Sequence, residues 1–195
     1  MSTNQHISEL IGKIGKGETA GLRVYFLGIG GIGMSAIARY FHSRGVVVSG
    51  YDRTSTELTR QLEAEGISIN YSDDVKLSDM NANFVVYTPA IPKDHQQYNE
   101  YLSNGYIVLK RSEVLGMITA NAFNVCVAGT HGKTTTSTMI AHVLRDSGHG
   151  CNAFLGGISA NYGTNFWSSE NNRFVLEADE YDRSFLQLNP DIAVI

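Results

Sequence analysis

A stretch rich in glycine and threonine, GTHGKTTT at residues 129–136, has the residue types that bind a nucleoside triphosphate. Backbone N–H groups of such a turn surround the β- and γ-phosphates, Lys133 neutralises the charge of the transferring phosphoryl group, and the Thr134 hydroxyl can bind Mg²⁺. The general motif places a glycine five residues before the Gly-Lys pair. Here Val127 occupies that position, and the first glycine is Gly129.

The loop can still bind phosphate at this altered spacing, because a strand rich in valine and alanine precedes it and a helical pattern follows. His131 either contacts substrate or only hydrogen-bonds the backbone. The residues that we expect to bind ATP are Gly129, Thr130, His131, Gly132, Lys133, Thr134 and Thr135.

A magnesium–nucleotide site also needs a carboxylate at the end of a neighbouring strand. Glu177 ends the apolar run of RFVLEAD at residues 173–179, where ligands collect in open sheets. We therefore expect Thr134 and Glu177 to bind the metal, and Lys133 and Glu177 to be catalytic. Glu180 and Asp182 either join this site or belong to a solvated acidic loop.

A second glycine-rich turn, GIGGIG at residues 28–33, lies between a predicted strand and a predicted helix. Gly28, Gly30 and Gly33 have the G-x-G-x-x-G spacing of turns that hold a diphosphate at a helix N-terminus, and Gly31 lies within the turn. Asp52 ends the next predicted strand, where a carboxylate can bind a ribose hydroxyl. The alternatives are a turn that only packs the helix on the sheet, and a capping role for Asp52.

Apolar runs of strand length alternate with helical patterns along the chain, which predicts parallel sheets and an α/β fold. We expect a tail over 1–20, in which a short amphipathic helix is the alternative, and a Rossmann-like parallel-sheet domain over 21–111. A connecting helix or linker is expected over 112–123, and the first part of a P-loop ATPase α/β domain over 124–195. The last residues, 191–195, resemble a strand that has barely begun, so we expect a fragment of a longer protein.

Composition excludes several classes of protein. The net charge is −4 over 195 residues, and no basic cluster could neutralise a run of nucleic-acid phosphates. The longest apolar runs are too short to span a bilayer, and the N-terminus has no apolar secretion core. Cys126 and Cys151 lack metal-binding spacing. We expect a cytoplasmic protein without nucleic-acid or membrane partners.

These motifs together resemble the Mur ligases, the ATP-dependent amide-forming enzymes of peptidoglycan synthesis. The resemblance rests on GIGGIGM, SGYD, GTHGKTTT, GGISANYGTN and EADEYDRSF, at residues 28–34, 49–52, 129–136, 156–165 and 177–185. The histidine at position 131 favours the members that add alanine or that recycle murein peptides, and GIGGIGM favours the former. Tyr181 and Arg183 depart from the family pattern.

The resemblance implies a use for both glycine turns. The first would hold the diphosphate of UDP-N-acetylmuramate, with Asp52 at the uridine or its ribose, and the second would hold ATP with Mg²⁺. L-alanine would be the other substrate. Further residues that the resemblance places near the UDP-sugar are Thr88, Ala90 and Arg111, and weaker candidates for substrate contact are Asn165 and Ser184.

The resemblance also implies that the lactyl carboxylate is first phosphorylated by ATP and that alanine then displaces phosphate. We expect the 195-residue chain to bind the UDP-sugar but to turn over poorly alone. Alternatives of other kinds are an NAD-dependent oxidoreductase, which would use the first turn and Asp52, and a noncatalytic nucleotide-sugar-binding module.

Overall fold

A computed structural model describes residues 3–179 and 185–195 of the chain. The chain divides into two compact units, Met1–Val114 and Leu115–Ile195. Five residues of the acidic loop considered above lie outside the described residues: Glu180, Tyr181, Asp182, Arg183 and Ser184.

The first unit contains five strands and most of the helices. In chain order the elements are α1 (Thr3–Gly15), β1 (Arg23–Leu27), α2 (Ile32–Ser43), β2 (Val47–Tyr51), α3 (Glu57–Ala64), β3 (Ser68–Asn70), a 3₁₀ turn (Val75–Leu77), β4 (Phe84–Tyr87), α4 (Gln96–Ser103) and β5 (Val108–Lys110). Helix α5 (Arg111–Thr119) follows β5 directly.

All strand pairs of the first sheet are parallel, in the order β3-β2-β1-β4-β5. The order reverses at β1, which pairs with β2 on one side and β4 on the other. Ligands of open α/β sheets bind at such a reversal, beyond the carboxyl ends of the strands. The glycine turn at residues 28–31 follows β1 at this point.

The N-terminal segment differs from the tail that we expected. Thr3–Gly15 forms a helix, in which Ile7, Ile11 and Ile14 are buried. These three side chains recur at helical spacing and lie on one face, so burying them offsets the conformational entropy lost on ordering the segment. The amphipathic helix, given as the alternative, is the structure that forms.

The second unit is a five-stranded mixed sheet. Its elements are β6 (Phe123–Val127), α6 (Lys133–Asp146), β7 (Asn152–Ser159), β8 (Thr164–Trp167), β9 (Arg173–Glu177) and β10 (Ile192–Val194). The strand order is β10-β6-β9-β7-β8, and only the β7–β8 pair among these described strands is antiparallel. The α/β fold with parallel sheets is confirmed, whereas the β7–β8 hairpin was not predicted.

The buried core of the second unit lies between α6 and the sheet. Ala141 of α6 clusters with Leu155, Trp167 and Val175 from three strands. Strand β6 pairs with β9 on one side and with β10 on the other, and the loop at residues 128–132 leaves its carboxyl end. The loop therefore follows a strand at which the strand order reverses. The first glycine turn has the same position after β1 in its own unit.

Candidate functional site

The first glycine turn is held against the ends of β2 and β4. Gly28 has φ +84°, a left-handed conformation that side chains rarely adopt. The N–H groups of Gly28 and Ile29 both donate to the carbonyl oxygen of Tyr51, at 2.8 and 3.0 Å. A Cβ on Gly28 would lie 2.5 Å from Cγ2 of Thr88. The turn therefore requires glycine for both its conformation and its close packing.

Asp52 supports the same turn through its carboxylate. Its Oδ2 accepts a hydrogen bond from the N–H of Gly30 at 2.7 Å, and its Oδ1 accepts one from the N–H of Thr54 at 3.2 Å. A carboxylate oxygen can accept more than one hydrogen bond. Asp52 thus shapes the turn, and its oxygens can still accept a hydrogen bond from a ligand hydroxyl. That contact with a ligand remains a prediction.

A cavity of about 630 Å³ opens beside this turn. Its size suits a small-molecule ligand. Six of the residues predicted for the UDP-sugar line it: Gly28, Gly30, Gly31, Asp52, Thr88 and Ala90.

Two of the predicted residues lie elsewhere in the first unit. Gly33 and Arg111 are not part of the described lining of the cavity. They lie against each other, since a Cβ on Gly33 would collide with the guanidinium of Arg111. The third glycine of the motif therefore allows Arg111 to pack over the first turn of α2, and a contact of Arg111 with ligand stays a prediction.

Sequence reasoning missed the opposite wall of the cavity, which contains Asp73 and His95. Asp73 accepts hydrogen bonds from the N–H groups of Gln96 and Gln97, at 2.8 and 3.0 Å, at the N-terminus of α4. Its Oδ1 lies 3.1 Å from Nδ1 of His95. Aspartate is a common helix-capping residue, and His95 is the N-cap of α4. Nothing in the local spacing of either residue indicated a binding site.

His95 is buried in this wall. Its ring meets that of Tyr51 edge to face, with centroids 4.5 Å apart. Burial lowers the pKa of His95, and the carboxylates of Asp73 and Asp94 oppose part of that shift. The imidazole is therefore more readily kept neutral in the folded protein than in the unfolded chain.

The second glycine turn forms the start of α6. Gly129 and Gly132 have φ +124° and +78°, so both adopt conformations that favour glycine. Lys133 is the first residue of the helix, and its Nζ donates to the carbonyl oxygen of Gly129 at 2.7 Å. This bond spans the turn. Thr130, His131 and Thr135 are exposed, with Nδ1 of His131 lying 3.3 Å from Oγ1 of Thr130.

Glu177, the last residue of β9, lies beside the start of α6. The Thr134 hydroxyl donates to its Oε2 at 3.1 Å. Two further groups, which sequence reasoning missed, bind its Oε1: the Ser137 hydroxyl at 3.1 Å and the N–H of Gly156 at 2.6 Å. Three elements, α6, β7 and β9, thus meet at one carboxylate.

A hydroxyl and a carboxylate are hard oxygen donors of the kind that Mg²⁺ prefers. Among residues 3–179 and 185–195, no group of three or more His, Cys, Asp and Glu side chains could hold a metal by itself. Mg²⁺ bound with nucleotides commonly takes one or two protein oxygens together with phosphate oxygens and water. Thr134 and Glu177 fit that pattern. Asn165 is fully buried in β8, which does not favour contact with a substrate.

The two units define a class of protein: an α/β protein with a glycine-rich turn between a strand and a helix in each of two units. Residues 23–123 match the Mur ligase family, catalytic domain, and residues 127–195 match the Mur ligase middle domain. The chain belongs to the Mur ligase family.

Similar proteins match most of the chain, across both units. UDP-N-acetylmuramate–L-alanine ligase of Phocaeicola vulgatus is 55% identical over 178 residues, which cover 88% of this chain and 39% of that protein. The crystal structure of UDP-N-acetylmuramate-alanine ligase from Thermotoga maritima is 30% identical, with a TM-score of 0.83 over 88% of this chain and 40% of that chain.

A third similar protein is named for a different activity. The structure of UDP-N-acetylmuramate:L-alanyl-γ-D-glutamyl-meso-diaminopimelate ligase from Neisseria meningitides is 29% identical, with a TM-score of 0.82 over 89% of this chain and 60% of that chain. The chain thus spans 39% of the length of the Phocaeicola vulgatus relative. None of the described helices is long and apolar enough to cross a membrane.

Proposed function

We propose that this protein is part of an ATP-dependent ligase that joins L-alanine to the lactyl carboxylate of UDP-N-acetylmuramate in peptidoglycan synthesis. The observation that carries the proposal is the meeting of Thr134 and Glu177, 3.1 Å apart, behind a phosphate turn that contains Lys133. This arrangement occurs in a chain 55% identical over 178 residues to a ligase with that name.

The first unit would bind UDP-N-acetylmuramate. Its cavity of about 630 Å³ is lined by Gly28, Gly30 and Gly31 of the glycine turn, just before the N-terminus of α2, and a helix N-terminus suits a diphosphate. The residues proposed to bind the UDP-sugar are Gly28, Gly30, Gly31, Gly33, Asp52, Thr88, Ala90 and Arg111.

The second unit would bind ATP at the turn of residues 129–135. The ammonium group of Lys133 is held within this turn by the Gly129 carbonyl, so it is positioned to meet phosphate oxygens. Thr134 and Glu177 would hold Mg²⁺, which supplies charge neutralisation at the phosphates when bound. Lys133 and Glu177 are the proposed catalytic residues.

The reaction proceeds in two displacements. A lactyl carboxylate oxygen attacks the γ-phosphorus of ATP, the bond to the ADP oxygen breaks, and an acyl phosphate forms. The amine of L-alanine then attacks the acyl carbon, an amide bond forms, the amine loses a proton, and phosphate leaves. The contribution of this chain is to bind each of the two anions and to place the positive charge of Lys133 at the phosphates of ATP.

A second candidate is a ligase that joins a peptide in place of alanine. It is supported by the similarity to the Neisseria meningitides structure, at a TM-score of 0.82. An NAD-dependent oxidoreductase would explain the first glycine turn, but it gives no use for Lys133, Thr134 and Glu177. A noncatalytic nucleotide-sugar-binding module leaves the same three residues unexplained.

Calorimetric titration of the 195-residue chain tests the proposal. We expect UDP-N-acetylmuramate to bind, MgATP to bind at a separate site without displacing it, and NADH not to compete with the UDP-sugar. Binding of NADH in competition with the UDP-sugar would support the oxidoreductase. Failure of MgATP to bind would refute the ligase.

Because the proposed substrates are cytoplasmic metabolites, we also propose a cytoplasmic location.

A further inference from the structure

Ser137 lies one helical turn beyond Thr134 on α6, and its side chain is fully buried. Residues three apart lie on the same helix face. The Ser137 hydroxyl lies 3.1 Å both from Oε1 of Glu177 and from the carbonyl oxygen of Thr134. The carbonyl oxygen three residues earlier is a sufficient partner for the hydroxyl of a buried serine on a helix. The additional approach to Glu177 therefore suggests a role beyond satisfying the hydroxyl.

The two oxygens of Glu177 have different surroundings. Oε1 accepts the N–H of Gly156 at 2.6 Å and faces the Ser137 hydroxyl, whereas Oε2 accepts the Thr134 hydroxyl. Hydrogen bonds to a carboxylate are stronger than those between neutral groups. Two such donors on Oε1 fix the orientation of the carboxylate and turn Oε2 towards Thr134.

Gly156 can approach this closely because it has no side chain. A Cβ at this position would collide with the carboxylate of Glu177. Gly156 is exposed on β7, so packing of a hydrophobic core does not explain the absence of a side chain. The close approach of its N–H group to Glu177 explains why this position has no side chain.

We propose that Ser137 and the backbone N–H of Gly156 are positioning groups, which hold Oε1 of Glu177 so that Oε2 faces the cation of a bound metal–nucleotide. The proposal rests on the proposed function of the second unit and adds two groups that act through Glu177. Ser137 does not itself contact nucleotide or metal in this proposal.

The test compares ATP binding with and without Mg²⁺, by calorimetry on the 195-residue chain. Loss of a group that orients a metal ligand typically lowers metal affinity about 10-fold or more. We therefore expect Ser137→Ala to lower the affinity for MgATP about 10-fold, and to change the affinity for metal-free ATP less than about twofold. Electron paramagnetic resonance of Mn²⁺ with ATP measures the metal contribution directly.

A matched control comes from the first unit. Ser35 is also fully buried in a helix, and its hydroxyl donates to the carbonyl oxygen of Ile32, three residues earlier. Ser35→Ala removes the same atom from a similar setting outside the second unit. We expect it to leave the ratio of MgATP to metal-free ATP affinity unchanged.

Coupling to Glu177 distinguishes positioning from a general effect on folding. Glu177→Gln should lower MgATP affinity, and adding Ser137→Ala to it should cause little further loss, because the two residues act as one unit. Gly156→Ala, which places a methyl group against the carboxylate, should lower MgATP affinity at least as much as Ser137→Ala. The Gly156 amide proton should shift upfield in Glu177→Gln without any ligand present.

The outcomes separate this proposal from the proposed function. An unchanged Mg²⁺ dependence in Ser137→Ala, or a full additional loss in the double variant, would overturn the positioning role while leaving ATP binding intact. If the unsubstituted chain binds no MgATP, the proposed function fails and this proposal fails with it.

Discussion

Oδ2 of Asp52 lies 2.7 Å from the backbone nitrogen of Gly30 and accepts its hydrogen bond. A residue that the sequence predicted to bind ribose is thus part of the structure of the first glycine turn. Substitution of Asp52 therefore changes the shape of the turn as well as any direct contact with the nucleotide.

Replacing Asp52 with alanine leaves the N–H of Gly30 without this carboxylate. We expect the free energy of unfolding to fall by about 1–3 kcal/mol and the affinity for UDP-N-acetylmuramate to fall about 10-fold or more. Urea denaturation and calorimetry measure the two effects. Glu63→Ala removes an exposed carboxylate from α3 and serves as the charge-matched control. If Asp52→Ala binds UDP-N-acetylmuramate with unchanged affinity, Asp52 has only the alternative role, that of a capping residue.

Gly30 and Gly31 are neighbours with different tolerance for a side chain. A Cβ on Gly30 would lie 2.6 Å from Cγ2 of Thr59 and 2.8 Å from Oδ2 of Asp52, whereas the nearest atom to a Cβ on Gly31 is at 3.5 Å. We expect Gly30→Ala to lower the unfolding free energy by about 1–3 kcal/mol. Gly31→Ala at the helix N-cap should cost less than about 1 kcal/mol.

Chemical denaturation of both glycine variants, followed by titration with UDP-N-acetylmuramate, checks this prediction. If the turn binds the diphosphate, Gly31→Ala should weaken binding despite its near-normal stability. Equal stability loss in the two variants would contradict the packing argument.

Replacing Lys133 with alanine removes the only cation of the second glycine turn at residues 129–135. A hydrogen bond to a charged group contributes about 1.5–3 kcal/mol, so we expect ATP affinity to fall about 10-fold or more. The affinity for UDP-N-acetylmuramate should not change, since that ligand is assigned to the other unit. Lys76→Ala, at an exposed position, is the control. Similar loss of both ligands would be evidence against two separate sites.

His95 predicts a pH dependence of stability. Its pKa is lowered in the folded protein by burial, partly opposed by Asp73 and Asp94, while the unfolded chain has the ordinary value of about 6.5. Below about pH 6.5 the unfolded chain binds the proton more tightly. The contribution of neutral His95 to stability is therefore fully present above that pH and is lost as the pH falls towards the lower, folded pKa.

Thermal unfolding at pH 7.5, 6.5 and 5.5 measures this dependence. His95→Gln should show a shallower loss of stability over this range, because it has no proton to bind. His6→Gln, which removes an exposed histidine from α1, should keep the slope of the unsubstituted chain. Parallel pH profiles for the His95→Gln variant and the unsubstituted chain would contradict the prediction.

The positions of the two glycine turns were predictable because their signals are local. The glycines at 28, 129 and 132 permit positive φ, and their order between an apolar strand and a helix indicates a phosphate turn. The alternation of strand and helix patterns similarly predicted the parallel strand pairs of both units, but not the antiparallel β7–β8 pair. Helix α1 was assigned to a tail because its pattern alone does not show that Ile7, Ile11 and Ile14 would find a surface to bury them.

The missed residues were those whose importance depends on distant contacts. Ser137 and Gly156 come within hydrogen-bonding distance of Glu177 from 40 and 21 positions away in the chain. Asp73 meets the N-terminus of α4 from more than 20 residues earlier. None of these pairs has a fixed spacing that a sequence pattern could reveal.

The sequence by itself determined where the backbone of this protein bends in its two glycine-rich turns, since that depends on glycine conformations and on the neighbouring strand and helix propensities. Only the tertiary structure decided which side chains support those bends. Strand order brings α6, β7 and β9 together at Glu177, and β1, β2 and β4 together at Gly28. Such meetings follow from the packing of whole elements, which no short stretch of residues encodes.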